Sequence, residues 1–217
     1  GMLNIVLVEP YLDNAIGIEN QRLFAEGQAK DTPQFWQQFS DYRIWQKQGS
    51  IVAGAILGMS TGALLGLVFA YSKKSLPGNS DIKKALLLAV IMWAVLYFIP
   101  FLKYPANPPT VGEPDTIAFR ATTYALFVAL SGGGAIGFSV LYKKLKNKKL
   151  LAFAGYAGFM ALAYVVMPPN PDPIKTSMDI VNGFREISAV TMTIYWIANG
   201  AILGWMWKKV KPDAIPT

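Results

Sequence analysis

Carboxylates in the segments between apolar stretches are the residues of this chain with the most specific chemistry. Carboxylate oxygens bind divalent cations, and negative charge at the mouth of a path concentrates cations there. The sequence therefore predicts an outer vestibule that attracts a divalent cation, with Asn107 and loop carbonyls completing its coordination shell. The acids assigned to this cluster are Glu9, Asp13, Glu19, Glu113 and Asp115.

A second interpretation of the same acids is that guanidinium groups neutralise them. Arg22 and Arg120 lie near these acids in the sequence, and a charge near a helix end at low dielectric usually needs a partner. In that case both arginines lock the outer segments onto the bundle, with Arg120 reaching a carboxylate such as Glu113. The sequence leaves both interpretations open.

Composition excludes other kinds of site. The 217 residues include no His and no Cys, which removes thiolate ligands, disulfides and the commonest transition-metal ligand. A metal could bind only to carboxylate, amide, carbonyl and water oxygens or to Met sulfur. With no recognisable nucleophile, acid–base pair or phosphate loop, we expect no enzymatic activity and no catalytic residues.

Five apolar stretches predict the elements that position these groups. Each is close to the ~20 residues that a helix needs to cross ~30 Å of hydrocarbon, and none has the polar stripe of a soluble helix. The predicted fold class is all-α, a polytopic transmembrane helix bundle with five complete spans, in contact with membrane lipid. The spans are Ser50 to Tyr71, Ala85 to Leu102, Ile117 to Tyr142, Leu150 to Met167 and Ala189 to Trp207.

Basic residues alternate between the connections and predict the orientation. The segments 72–84, 143–149 and 208–217 together hold 12 basic and 2 acidic residues, whereas the other three connections hold the remaining 8 and 11. Because Lys and Arg resist translocation, the basic segments and the carboxyl terminus should be cytoplasmic. The net charge of +7 is then a topology signal and does not indicate nucleic-acid binding.

The sequence predicts a single integral membrane domain over residues 1–217, made of four consecutive parts. Residues 1–8 are interpreted as the end of a partial first span, with a cleaved-signal remnant as the competing interpretation. Residues 9–49 form an outer segment whose amphipathic helix begins at Asp31-Thr32-Pro33 and turns at Gly49. Residues 50–207 form the five-span bundle, and 208–217 a cytoplasmic tail.

Glycines predict how the helices pack. Gly54, Gly58, Gly62 and Gly66 form one stripe on a helix, where another helix should cross closely; a dimer seam or a substrate path are the alternatives. The run Ser131 to Gly134 marks either close packing against this same helix or an unwound point at mid-membrane.

Several motifs together resemble a known family. The most specific is the run Leu102-Lys103-Tyr104-Pro105-Ala106-Asn107-Pro108-Pro109, followed by Val111-Gly112. Further matches are Val8-Glu9-Pro10-Tyr11, Ile18-Glu19, Asp115-Thr116, Arg120 and Tyr124. With these residues the chain resembles the CbtA-type membrane subunits of the proposed cobalt transporters. In that family a complete helix precedes the Glu-Pro step.

The resemblance implies a prokaryotic cytoplasmic-membrane protein that works with other membrane subunits. One of them would be a small subunit that supplies histidines, and the cargo would be Co²⁺ for cobalamin synthesis. The alternative function is a non-catalytic accessory or structural subunit of a larger membrane enzyme complex, which needs only packing grooves and rigid outer loops.

Overall fold

Helices make up most of the described chain. The computed structural model describes residues 7–108, 111–145 and 149–210, and these ranges contain no β-strand. Five helices in the described residues are long and apolar enough to cross a membrane. The all-α, five-span class is therefore confirmed. Most of the predicted partial first span, residues 1–6, and most of the predicted tail, residues 211–217, lie outside the described residues.

The outer segment before the first complete span forms two helices. Helix α1 covers Glu9–Ala25, and Gly27 then adopts a positive φ of 70° that ends it. Helix α2 covers Pro33–Ser72, and the side chain of Thr32 accepts a hydrogen bond from the Phe35 amide at 3.2 Å. The start expected from the Thr-Pro pair is therefore confirmed.

The expected turn at Gly49 is wrong, because α2 continues through it without a break. At 1.5 Å per residue, its 40 residues extend about 60 Å, roughly twice the thickness of the hydrocarbon core. One glycine inside a helix costs only about 1 kcal/mol, less than leaving the backbone groups of a turn unpaired near lipid. The amphipathic segment is thus the first part of α2 and not a separate helix.

The second complete span begins earlier than expected and contains a π-helical turn. Helix α3 covers Asp81–Trp93, the π-helical segment Ala94–Phe98, and helix α4 Ile99–Lys103. The Ser80 hydroxyl accepts a hydrogen bond from the Lys83 amide, which explains the start before Ala85. Pro100 has no amide hydrogen to continue the ordinary helical pattern, so the wider turn lies just before it.

Three further spans complete the fold. Helix α5 covers Ile117–Lys144, α6 covers Lys149–Val166, and α7 covers Met178–Val210. Helix α7 begins eleven residues before the predicted Ala189, because the pattern of apolar residues excluded its charged first turns. Helix α5 is continuous through Ser131 to Gly134, so the unwound point is wrong.

The chain divides into two compact units, and the expectation of one integral domain stays a prediction. The first unit comprises residues 1–90, 107–111 and 174–217. In it α1 and α2 pack against α7, and the Phe69 and Trp207 rings meet edge-on at 5.0 Å. Helix α7 also lies against α3, where a Cβ on Gly204 would be 2.5 Å from the Ile82 Cα.

The second unit comprises residues 91–106 and 112–173. Its core is built between α5 and α6 around Phe127, Met160 and Met167. The glycine run of α5 permits this packing, since a Cβ on Gly134 would lie 2.7 Å from the Phe159 ring of α6. The expected partner of this run was the glycine-striped helix, whereas these contacts are made with α6.

Candidate functional site

Two acids of the predicted cluster face two cations across α1 and α2. Glu9 and Asp13 are four residues apart on α1, and Arg43 and Lys47 are four apart on α2, so each pair shares a helix face. The Arg43 guanidinium contacts the Glu9 carboxylate and lies 2.7 Å from Asp13. The Lys47 Nζ lies 3.3 Å from Asp13 Oδ2 and 3.8 Å from Glu9 Oε1.

The environment of this network differs between its two acids. The Glu9 side chain is 8% exposed and that of Arg43 11%, whereas the Asp13 side chain is 51% exposed. Partial burial acts to raise the pKa of Asp13, but hydrogen bonds and charge from Arg43 and Lys47 outweigh it and lower the pKa below its ordinary value. Positive charge therefore already occupies the space between these carboxylates.

Arg43 was missed at the level of sequence. Its spacing from Lys47 on a helix carried a signal, but Arg22 was closer to the acids along the chain. In the structure Arg22 instead pairs within α1, at 2.6 Å from Glu19 and 3.3 Å from Glu26. The hydrogen bond and charge of Glu19 raise the pKa of Arg22, and the exposed setting makes these pairs weak contributors to stability.

Arg120 holds the loop around Asp172 in the second unit. Its Nε lies 2.9 Å from Asp172 Oδ2, and its Nη2 donates to the Glu113 backbone carbonyl at 3.2 Å. The Thr116 hydroxyl bonds the same Asp172 oxygen at 2.7 Å. The Asp172 side chain is 3% exposed, so this carboxylate is the buried partner of Arg120. The sequence suggested Glu113 as a possible partner of Arg120 and did not indicate Asp172.

Gly112 is placed against this arginine for a steric reason. Its φ of 122° lies in a region that L-residues with side chains avoid, and a Cβ there would be 2.6 Å from the Arg120 guanidinium carbon. The backbone can approach the guanidinium only because residue 112 has no side chain. Glycine at position 112 therefore suits both the positive φ and the position of Arg120.

Asn107, expected to complete a metal shell, binds an arginine in the first unit. Its Oδ1 accepts hydrogen bonds from Arg185 Nη2 at 2.8 Å and from Arg185 Nε at 3.2 Å. An amide oxygen that faces a guanidinium is poorly placed to coordinate a cation. Arg185 is a further residue whose role the sequence did not indicate, because 78 positions separate the two.

The described residues contain no group of three or more His, Cys, Asp or Glu side chains placed to hold a metal ion. The structure brings Glu9 and Asp13 together and places Glu19 further along α1, beside Arg22. Glu113 and Asp115 belong to the second unit, where Asp115 lies in a 3₁₀ turn, Pro114–Thr116. The outer cation cluster stays a prediction.

The glycine stripe of α2 has room on its described surface. A Cβ on Gly62 would meet only Asn199 Oδ1 at 3.8 Å, one on Gly66 only a Leu203 methyl at 3.9 Å, and one on Gly58 nothing within 4 Å. The deepest residues of α2 are Leu65 and Phe69, beside the stripe. Close helix packing by Gly54, Gly58, Gly62 and Gly66 stays a prediction. In this unit, Gly200 and Gly204 of α7 lie close to α3.

Several polar side chains within the spans bond to one another or to nearby carbonyls. In the first unit the Thr61 hydroxyl contacts the Tyr195 hydroxyl, and Asn199 Nδ2 donates to the Tyr195 carbonyl at 2.8 Å. In the second unit the fully buried Ser131 donates to the Val95 carbonyl at 2.6 Å, inside the π-helical turn. Such bonds satisfy polar groups that lipid cannot.

Comparison with protein families decides the classification. The family model described as "Probable cobalt transporter subunit (CbtA)" matches residues 1–208. The chain belongs to the CbtA family. Searches of curated proteins and of solved structures gave no match.

In this CbtA-family chain, several of the residues that carried the resemblance make hydrogen bonds that hold loops. The Tyr104 hydroxyl donates to the Pro168 carbonyl at 2.6 Å, and burial raises the pKa of this tyrosine. The Val111 amide donates to the Pro108 carbonyl at 2.9 Å, closing a turn. Asn107 and Arg120, described above, also hold connecting segments, and the prolines of the motif add rigidity because each fixes its own φ.

Proposed function

We propose that this CbtA-family chain is the membrane-spanning subunit of a cobalt transporter, and that histidines of a partner subunit supply most of the selective metal ligands. The family match over residues 1–208 is the observation that carries the proposal. The five long apolar helices are consistent with it, because a charged cargo needs a protein path through hydrocarbon.

The need for a partner follows from the ligands available in this chain. It contains no His and no Cys, so its metal-binding atoms are oxygens and Met sulfur. Oxygen ligands discriminate poorly between Co²⁺ and the more abundant Mg²⁺ or Ca²⁺. Arg43 and Lys47 already compensate Glu9 and Asp13, which further weakens a site made by these acids alone.

The orientation is part of the proposal. Because basic residues stay on the side of synthesis, the segment 72–84 and the carboxyl terminus are assigned to the cytoplasm of a prokaryotic cell. The loops that carry Asn107, Glu113 and Asp115 then face outward, where their carboxylates would raise the local concentration of cations.

Uptake of radioactive Co²⁺ into proteoliposomes tests the proposal. Vesicles that contain the chain together with its co-purified small partner should take up the metal, whereas vesicles with the chain alone should take up much less. A Glu113→Gln variant should lower the initial rate at limiting Co²⁺, with Asp41→Asn as the charge-matched control. No uptake by either preparation would contradict transport.

A second outcome of the same purification separates the alternative function. If gentle extraction always recovers the chain with one larger membrane enzyme, and no metal flux is measured, the chain is an accessory subunit. The polar segments and packing surfaces described above would then serve assembly.

A further inference from the structure

Three helix ends meet at one end of the first unit and bring together six lysines. The carboxyl end of α2 lies beside that of α7, with Lys73 Nζ 5.4 Å from the centre of the Trp207 ring. The start of α3 joins them, because Asp81 Oδ1 lies 2.9 Å from the same Lys73 Nζ. We call this surface the basic end. Its lysines are Lys73, Lys74, Lys83, Lys84, Lys208 and Lys209.

The connection between α2 and α3 fixes the lysines at this surface. Gly78 has a φ of 130°, and a Cβ on it would lie 3.5 Å from the Lys84 side chain and 3.6 Å from that of Lys83. Lys84 Nζ also donates to the Lys73 carbonyl at 3.1 Å. The turn therefore folds back onto the start of α3 and holds Lys83 and Lys84 near the end of α2.

The acidic side chain in the described part of the basic end is already paired with a lysine. Asp81 is paired with Lys73, whose side chain is only 16% exposed. Lys74, Lys83, Lys208 and Lys209 are exposed, and none of the four forms an ion pair with an acid among the described residues. The surface therefore carries an excess of positive charge for which an anion from outside the chain is the natural partner.

Aromatic and aliphatic side chains border the lysines. Lys209 Nζ lies 5.0 Å from the centre of the Trp205 ring, and Trp205 is 55% exposed. Exposed Tyr rings and Trp rings mark the level of lipid headgroups at the ends of spanning helices. Leu67 and Ile202, further along α2 and α7, are 61% and 56% exposed and offer apolar surface for acyl chains.

From this arrangement we propose that the basic end binds the headgroups of anionic phospholipids. A phosphodiester would contact the exposed ammonium groups while its acyl chains lie on the apolar surfaces of α2 and α7. Free phosphate could bind the lysines but would leave the apolar surfaces of α2 and α7 uncovered. The proposed ligand is therefore a lipid. The inference does not depend on metal transport, since it rests on the charge and apolarity of this end alone.

Tryptophan quenching by brominated lipids in vesicles tests the proposal with the full chain. Trp205 and Trp207 lie at the basic end, so bound brominated phosphatidylglycerol should quench their emission more strongly than brominated phosphatidylcholine at the same mole fraction. Each lysine near a membrane surface contributes about fivefold to anionic-lipid affinity. Lys83→Gln should therefore lower the preference by about fivefold, and the Lys74→Gln/Lys83→Gln/Lys208→Gln/Lys209→Gln variant should show none.

A charge-matched control comes from the opposite ends of the same helices. Lys30 precedes α2 and Lys175 precedes α7, so Lys30→Gln/Lys175→Gln should keep the full preference. Equal quenching by both lipids in the wild type would overturn the proposal, as would an equal loss of preference in the control pair. Displacement of the lipid by millimolar inorganic phosphate would also overturn it, because the site would then recognise phosphate without a lipid. If circular dichroism shows that the fourfold variant is unfolded, the Lys74→Gln/Lys83→Gln variant carries the same test.

Discussion

Charge compensation across helices is the dominant feature at the scale of residues. Glu9 is nearly buried, and its negative charge is tolerated because the Arg43 guanidinium reaches it from α2. Taking one partner from a buried ion pair leaves the other charge without water or a counterion. The contact therefore holds α1 onto α2 more firmly than any exposed pair in the outer segment.

Arg43→Ala should destabilise the protein by about 3 kcal/mol, because it leaves the Glu9 carboxylate buried beside a more distant Lys47. The thermal unfolding midpoint of the purified chain in detergent measures this loss. Adding Glu9→Gln to Arg43→Ala should recover part of it, since the amide carries no charge. Arg22→Ala is the matched control and should leave the midpoint almost unchanged; an equal effect of both arginines would count against the assignment.

The lowered pKa of Asp13 predicts how the stability of the folded protein depends on pH. Its pKa is lower in the folded protein than the ordinary value of 3.8, so the folded state favours the ionised carboxylate. The stabilisation is therefore present above pH 3.8 and is lost as the pH falls through the lower pKa of the folded state. Unfolding midpoints measured down the acid range should fall less steeply for Asp13→Asn than for the wild type, while Asp41→Asn should follow the wild type. Parallel curves for wild type and Asp13→Asn would refute the contribution.

Close approach between helices at glycine is the corresponding feature at the scale of elements. Helix α7 approaches α3 at Gly200 and Gly204, where a methyl group would touch backbone or Cβ atoms. In lipid such contact has to come from van der Waals packing and hydrogen bonds, because the surroundings are as apolar as the side chains. The stripe on α2 has the better spacing in sequence but the looser surroundings in the described structure.

Gly204→Ala should destabilise the α3–α7 contact by about 2 kcal/mol, since its Cβ would lie 2.5 Å from the Ile82 Cα and the backbone would have to move. Thermal unfolding in detergent measures the change. Gly58→Ala is the control on α2, and with nothing within 4 Å it should leave the midpoint unchanged or slightly raised. If Gly58→Ala were the more damaging of the two, the open surface described for α2 would be incorrect.

At the scale of the whole molecule, the alternation of charged connections predicts how the chain is placed in a bilayer. Helix α2, with 40 residues, is too long to lie entirely within the hydrocarbon if it stands upright. We therefore expect its polar first part, which carries Arg43 and Lys47, to lie outside the membrane with α1. The basic end lies at the other end of the same helix.

Single-cysteine labelling tests this placement, and the natural chain, with no Cys, provides an unlabelled background. Asn79→Cys lies between α2 and α3, and Lys175→Cys lies before α7. In intact cells a membrane-impermeant maleimide should label Lys175→Cys, and it should label Asn79→Cys only after the membrane is opened. Labelling of both positions in intact cells would contradict the orientation.

The sequence by itself determined the all-helical class, the number of complete spans, the family and the start of α2. The class, the spans and the start of α2 follow from local composition, because about twenty apolar residues commit a segment to lipid and Thr-Pro favours a helix start. The family was indicated by the resemblance of the motifs around Tyr104, and the family match over residues 1–208 confirms it. It did not determine that Arg43 faces Glu9, that Arg120 faces Asp172, or that Asn107 binds Arg185. Those pairs join residues 34, 52 and 78 positions apart, and only the packing of the helices brings them together.

The structure also shows where the helices continue and where they become irregular. Gly49 and the glycine run of α5 remain helical, because their backbone groups are paired within the helix and have no alternative partner in lipid. The irregular turn lies before Pro100, where one amide hydrogen is missing. Residue spacing identifies the groups that a helix presents, whereas the contacts of each group depend on which helices lie beside it.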